Sequence, residues 1–467
     1  MTDRAILRIR VVLVLALLAI AGRQLYVQLI AAPTISAVPT NPRRHLADAG
    51  RGRILASDGT PLAQTVSGVR VYSMHGAAAQ LIGYDSVRYG TSGIEDAYNA
   101  ALEPATRSGD PFAQWQALVD AFQGKPASVH GADVITTISP TITRVLAEQL
   151  SRYPRGAGVV LDARTGAVLA MVSQPTFDPN TIDTTFAKTV LLKQSPLLNR
   201  AIDGEYPPGS TFKILTASAA IDSGTFTPQS HFYDPGYLHI GSFTLHDNEG
   251  EATGSQTLTG AFALSSNVDF ARVGMKLGVD TFYEYLHRFD VGASLDFQLP
   301  ATVSHIPDPK DLSDGELAQL AFGQGALTVS PLQMALIAAA VANGGKEPRP
   351  YVVRDVLRDG VHVGTVTPST LAIPITADTA AAVTKMMVAV VKFGTGTTAA
   401  LPGVTVAGKT GTATNPLGRP HSWFVCFAPA DAPRVVVAVV VENAGYGATV
   451  AAPIARAVLA SALKVVR

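Results

Sequence analysis

The hydrophobic and polar positions of this chain change their period several times. Residues 11–21 are apolar at every position behind Arg4, Arg8 and Arg10, and apolar character resumes after Arg23 and Gln24 as far as Ala32. A basic flank before an apolar run predicts membrane insertion with the N-terminus inside. Residues 11–32 reach the about 20 residues that a bilayer span needs. Arg23 lies toward the outer end, where a long side chain can snorkel. An uncleaved anchor over residues 1–32 is the expected reading. Residues 19–21 also resemble a cleavage site, so a removed signal peptide is the alternative, and either one exports the rest of the chain.

Residues 33–125 are polar, Gly-rich and mixed in pattern. Within them, 51–59 reads as a short strand closed by an Asp58-Gly59 turn, and 94–102 reads as a helix. From Val134 the texture changes. Residues 141–150 are helical in pattern, and 159–161 with 167–172 form a hairpin signal around a turn at 164–166. Residues 423–428 and 434–441 form a second pair, split by Pro429 and Pro433. The run 434–441 is apolar at nearly every position, which predicts a strand covered on both faces. Residues 450–466 read as a helix. Strands near both ends with helices between them predict one antiparallel sheet, built from N- and C-terminal pieces and covered by helices. The expected organisation is an anchor (1–32), a compact N-terminal module (33–130) and a larger domain (131–467).

Composition narrows the function classes. With 47% hydrophobic and 15% charged residues, the 467-residue chain can bury a large core across two or three domains. Lys plus Arg equals Asp plus Glu at 36 each, a balance that argues against nucleic acid as a partner. The single cysteine, Cys426, rules out an intramolecular disulfide and thiolate zinc sites, and no close histidine pairing suggests a metal. Cys426 lies in an apolar run and reads as a small buried hydrophobe. The expected chemistry uses neither cofactor nor metal.

Candidate chemistry begins at Ser210. Pro207, Pro208 and Gly209 halt the preceding chain, and the mostly apolar residues that follow predict a helix buried on most of its circumference. Ser210 then falls in the first turn, with Lys213 three residues on along the same face. Burial lowers a lysine's pKa, and a neutral amine can take a serine proton. A helix start also offers free N–H groups where an oxyanion would form. Ser-x-x-Lys alone is weak, since Ser461 and Lys464 repeat it near the C-terminus. Two further motifs separate them. Ser265 with Asn267 offers a hydroxyl and an amide after a hydrophobic helix; its plain alternative is a helix cap. Lys409, Thr410, Gly411 and Thr412 combine a cation, hydroxyls and a small residue on an expected strand; the plain alternative there is a tight turn. Gly411 would let the backbone approach a ligand, and Lys409 with Thr410 could bind a carboxylate. Only Ser210 has both motifs downstream. This order is that of the penicillin-recognising serine enzymes.

Here the chain resembles the class B penicillin-binding proteins, the monofunctional transpeptidases. Arg51-Gly52, Asp58-Gly59 and Leu62-Ala63 are similar to the family's opening segment, and Gly90, Gly93 and Glu95 to its G-x-x-G-x-E segment. Asn199-Arg200, the stretch 322–325 with Ser330-Pro331, and 421–424 with 427–429 are also similar to family sequences. The resemblance implies an α/β, β-lactamase/transpeptidase-like fold: an antiparallel sheet flanked by helices plus an all-helical part, with the active site between them. It implies Ser210 as nucleophile, Lys213 as general base, Ser265 as proton relay and Asn267 as the group orienting Lys213 and a substrate amide. Lys409 and Thr410, assisted by Thr412, would hold the terminal carboxylate of a D-Ala-D-Ala stem peptide. The N–H groups of Ser210 and Thr412 would form the oxyanion hole. β-Lactam antibiotics would acylate the same serine. The stretch before about Gly131 is too short for a glycosyltransferase domain, which implies a separate glycan polymerase of the SEDS family as a membrane partner.

Related activities differ in what they would require. A serine β-lactamase needs a deacylating water, and no Glu-x-x-Leu-Asn segment follows Ser265. A D,D-carboxypeptidase would use water in place of an amine, and only the family resemblance separates it. A β-lactam sensor needs a cytoplasmic output domain, for which about ten residues before the apolar run leave no room.

Overall fold

The computed structural model describes residues 50–104 and 130–466 except 242, 248–250 and 417, together with scattered helical positions between 13 and 26 and residues 115 and 119. Most of the expected span 11–32 lies outside the described residues. Among those described, no helix is long and apolar enough to cross a membrane. Leu13, Val14, Leu15, Leu17 and Ile20 are helical and expose their side chains.

The ordered chain opens with short strands β1 (Ile54–Leu55), β2 (Pro61–Val66) and β3 (Val69–Tyr72), helices α1 (Gly93–Ala97) and α2 (Asn99–Leu102), and strand β4 (Asp133–Thr136). Helix α3 (Pro140–Leu150) follows, started by Ser139, whose side chain caps Ile142 N–H, and by Pro140 at a position that needs no donor. The hairpin β5 (Gly156–Asp162) and β6 (Val168–Gln174) turns through Gly166 at positive φ. Helices α4 (Lys213–Asp222), α5 (Leu258–Leu264), α6 (Asn267–Arg288) and α7 (Pro331–Ala342) come next. A second hairpin, β7 (Val353–Arg358) and β8 (Val361–Thr365), precedes helix α8 (Ala377–Lys392). Strands β9 (Ala407–Ala413), β10 (His421–Ala428) and β11 (Val435–Val441) then lead into α9 (Ala451–Val465).

The main sheet has the order β9-β10-β11-β5-β6 and is antiparallel throughout; three C-terminal strands join two strands from early in the larger domain, as expected. The apolar run of β11 is fully buried because its alternating side chains serve two cores. Val436, Ala438 and Val440 join the core that holds α7 and the helical part, whereas Val435, Val437, Val439 and Val441 join the one under α3 and α9. Cys426 sits opposite Gly408 and Val437, and its burial pushes the thiol pKa up, as for an inert hydrophobe.

The N-terminal module is a six-stranded sheet of order β8-β7-β4-β1-β2-β3, with β4 parallel to β1 and antiparallel to β7. Two features go beyond the boundary expected at residue 130. Strand β4 lies past it, and the hairpin 353–365 from the larger domain completes the module's sheet. The helix expected over 94–102 is two short pieces broken at Tyr98. Arg51 causes the break. Its guanidinium takes the Glu95 carbonyl (3.1 Å), the acceptor that residue 99 would use in a continuous helix, and also the Asn99 side chain (2.7 Å). Arg51 and Arg70 both clamp the buried Glu95 carboxylate, each at 2.7 Å. A Cβ on Gly52 would lie 2.0 Å from Ala132 O, so the backbone beside Arg51 requires glycine.

Candidate active site

Two helix starts and one sheet edge meet at Ser210. Gly209, at φ +53°, donates its N–H to Gly323 O (2.8 Å), and a Cβ on Gly323 would sit 2.1 Å from Gly209 O. This close crossing holds Ser210 in a 3-10 turn, Gly209–Phe212, one step ahead of the α-helix that Lys213 begins. Residues 213–220 are all buried, as the apolar pattern predicted. The indole of Trp423 donates to Pro207 O (3.1 Å) and pins the turn to β10. Among the described residues, the Ser210 hydroxyl has no hydrogen-bond partner.

Between α5 and α6, Ser265 adopts a left-handed conformation (φ 67°), costly for a residue other than glycine. The cost has a visible return. The bend turns both Ser265 oxygens toward lysines: Lys213 Nζ donates to Ser265 O (2.7 Å) and to Ser265 Oγ (3.4 Å), and Lys409 Nζ donates to Ser265 Oγ (2.8 Å). Lys213 Nζ also donates to Asn267 Oδ1 (2.8 Å). Ser266 fills the cap role considered above for this segment, accepting from Asp269 N–H (3.0 Å), which leaves Ser265 and Asn267 for the lysines. On β9, Thr410 Oγ1 pairs with Thr395 Oγ1 (2.5 Å), and Thr412 Oγ1 accepts from Gly447 N–H (3.5 Å).

Both lysines are fully buried. Burial brings Lys213 down to about 7, with Asp247, Asp269 and Asp234 opposing the shift. Burial and the nearby Lys213 charge also hold Lys409 well below its ordinary value. A lysine at about 7 is neutral often enough at physiological pH to accept a proton. Two ammonium groups sharing one serine hydroxyl also favour losing one charge.

Two positions work differently from the sequence reading. The space beside Gly411 is taken by the Ser210 turn and by β10: a Cβ there would meet Trp423 Cβ (2.8 Å), Thr211 Cγ2 (2.9 Å) and Pro208 O (3.0 Å). The close approach that Gly411 permits is therefore between β9 and the Ser210 turn. Lys409 points inward to Ser265 and Thr410 O (3.2 Å), so its ammonium is committed to Ser265. The second Ser-x-x-Lys, at Ser461 and Lys464, lies on α9 over the far face of the sheet, with Lys464 exposed.

Several supporting groups carry no local sequence signal. Thr395 follows the end of α8 in a Gly-Thr-Gly-Thr stretch that reads as a turn. Glu442, at the end of β11, ties Arg200 (2.8 Å), Arg155 (3.0 Å) and the Tyr206 hydroxyl (2.8 Å) together, bracing the approach to Ser210. Asp234, Asp247 and Asp269 gather behind Lys213 from two short ribbons and α6. None of these residues is spaced from its partners by a recognisable period.

Residues 156–460 match the Penicillin binding protein transpeptidase domain. The chain belongs to the class B penicillin-binding proteins. Residues 51–134 match the Penicillin binding protein A dimerisation domain, a match that ends within β4. The peptidoglycan D,D-transpeptidase PbpA of Mycolicibacterium smegmatis is 33% identical, covering 98% of this chain and 98% of that protein. Penicillin-binding protein A of M. tuberculosis, solved as its penicillin G acyl-enzyme, superposes with a TM-score of 0.81 at 32% identity, covering 89% of this chain and 99% of that one. The D,D-transpeptidase domain of a peptidoglycan glycosyltransferase from Eggerthella lenta gives 0.80 at 34% identity, covering 89% and 98%.

Proposed function

We propose that this penicillin-binding protein is a serine D,D-transpeptidase that cross-links peptidoglycan stem peptides through an acyl-enzyme on Ser210 and is inhibited by β-lactams. The observation that carries the reading is Ser265 Oγ held between Lys213 and Lys409, beside a nucleophile left without a partner. Neutral Lys213 takes the Ser210 proton as the hydroxyl attacks the D-Ala-D-Ala carbonyl. The oxyanion settles on the N–H groups of Ser210 and Thr412. Ser265, bonded to both lysines, relays a proton to the nitrogen of the departing D-alanine. Asn267 orients Lys213 and the substrate amide. Thr410 and Thr412 bind the terminal carboxylate, and Lys409 contributes its field through Ser265. An amine from a neighbouring stem then attacks the ester and regenerates Ser210. Ser210→Ala should abolish labelling by a fluorescent penicillin while Ser461→Ala leaves it intact; labelling that survives in folded Ser210→Ala would refute the assignment.

The exposed apolar side chains from Leu13 to Ile20 support a single-pass anchor in the cytoplasmic membrane, with the catalytic domain outside. Membrane-extracted protein should then retain residues before Ala21, and a mature start at Gly22 would make the leader reading correct. The match of residues 51–134 to a dimerisation domain supports a separate SEDS-family polymerase as the source of glycan strands; co-extraction of such a polymerase with the full-length protein tests it.

A further inference from the structure

Asp247 is placed where it can govern Lys213 without touching substrate. Its Oδ1 accepts from the N–H of Asn267 and from that of Val268 (3.2 Å), so its carboxyl sits on the first turn of α6, the turn that presents Asn267 to Lys213. Its Oδ2 is sealed from solvent and has no hydrogen-bond partner. A bare carboxylate oxygen left in that state loses its solvation with nothing in return, whereas a carboxyl O–H beside a second anion does not. Asp234 is that anion. It is fully buried, and its own oxygens accept from Gly236 N–H (2.7 Å) and Thr253 Oγ1 (2.6 Å), while Asp247 N–H returns to Gly236 O (3.1 Å).

We propose that Asp247 is a positioning residue for acylation that shares one proton with Asp234: protonated, it anchors Asn267 against Lys213, and ionised, it holds Lys213 in the ammonium form that cannot take the Ser210 proton. The charged and titratable groups around this unit are Asp234 and Asp269 from the side of the ribbons and α6, Arg272 paired with Asp269 (3.2 Å), Lys213 on α4, and Lys409 on β9. Burial, and the hydrogen bond that its protonated carboxyl can give to Asp234, raise Asp247 to about 7. Burial works the same way on Asp234, yet its hydrogen bonds with Asp247, Thr253, Gly236 and Ser266 keep it near 2. The unpartnered Oδ2 of Asp247, set against the two donors already on Asp234, places the shared proton on Asp247.

The inference rests on Lys213 as the base, and the test separates the two. Asp247→Asn keeps the acceptor for Asn267 and replaces the O–H by an N–H donor, fixing the neutral form at every pH. With the anion removed, Lys213 loses its proton more readily. The acidic limb of the rate of acylation by penicillin G should move to lower pH by roughly one unit. Near the midpoint of that limb, where wild-type Asp247 is ionised, the variant then acylates up to ~10-fold faster than wild type, and at lower pH, where wild-type Asp247 is protonated, the two rates converge. Asp247→Ser, which also caps and carries no charge, should give the same shift if the Asn variant does not fold. A profile that overlays wild type in either folded variant would make Asp247 a plain helix cap and overturn the proposal. Unchanged acylation in Lys213→Arg would instead remove the base reading itself.

Discussion

At the scale of single residues, the proposed mechanism turns on Lys213. Its hydrogen bonds go to Ser265 and Asn267, and its burial brings it down to about 7, so the base is held in place by one motif and neutralised by its surroundings. An arginine at 213 keeps the charge and cannot give it up. Lys213→Arg should therefore slow penicillin acylation by at least ~10²-fold, measured as the second-order labelling rate. In wild type the same rate should fall as pH drops through about 7, because protonating Lys213 removes the acceptor of the Ser210 proton. A rate flat across that range would show that the proton goes elsewhere. The three motifs were legible at this scale because each places a reactive group beside a turn signal. Asp247 was not. It follows a four-residue strand in a two-stranded ribbon, and only the fold brings it to Asn267.

At the scale of elements, the site is a crossing of the Ser210 turn over β9, and it depends on what is missing at Gly411. Gly411→Ala would place a methyl within about 3 Å of Trp423, Thr211 and Pro208 O, and backbone cannot yield as a flexible side chain would. The turn should shift off the strand. Acylation is expected to fall by at least ~10-fold, since misplacing a reacting group by about 1 Å costs on that order or more. A variant with an unchanged labelling rate would place the tolerance elsewhere. The valine run of β11 was readable because burial on both faces leaves no polar position to break it. The helix over 94–102 is present but interrupted at Tyr98, where Arg51, more than 40 residues away, takes the Glu95 carbonyl that would continue it. Contacts of that range have no local signature. The same reason hid hairpin 353–365, which pairs with β4 across more than 200 residues.

At the scale of the whole molecule, the module and the catalytic domain share a sheet, and the buried Arg51–Glu95–Arg70 cluster locks the module's end of it. Glu95→Gln would leave Arg70 without its charge partner and Arg51 with Asp85 alone, with an expected loss of about 3 kcal/mol in unfolding free energy. Labelling by penicillin at temperatures where the variant is folded should remain at the wild-type rate, since Glu95 lies far in the chain from every active-site contact. A stable variant would show the cluster to be dispensable. The central claim is that the molecule is an acyltransferase built around Ser210 and suited to hold its ester. Excluding water protects an acyl-enzyme until an amine arrives. The most direct measurement is peptide mapping by mass spectrometry after penicillin G treatment, repeated during a chase with excess unlabelled drug. The account predicts one intact penicilloyl group on the peptide containing Ser210, lost only over minutes or longer. An adduct on any other residue, or steady turnover near ~1 s⁻¹ or faster, would contradict it.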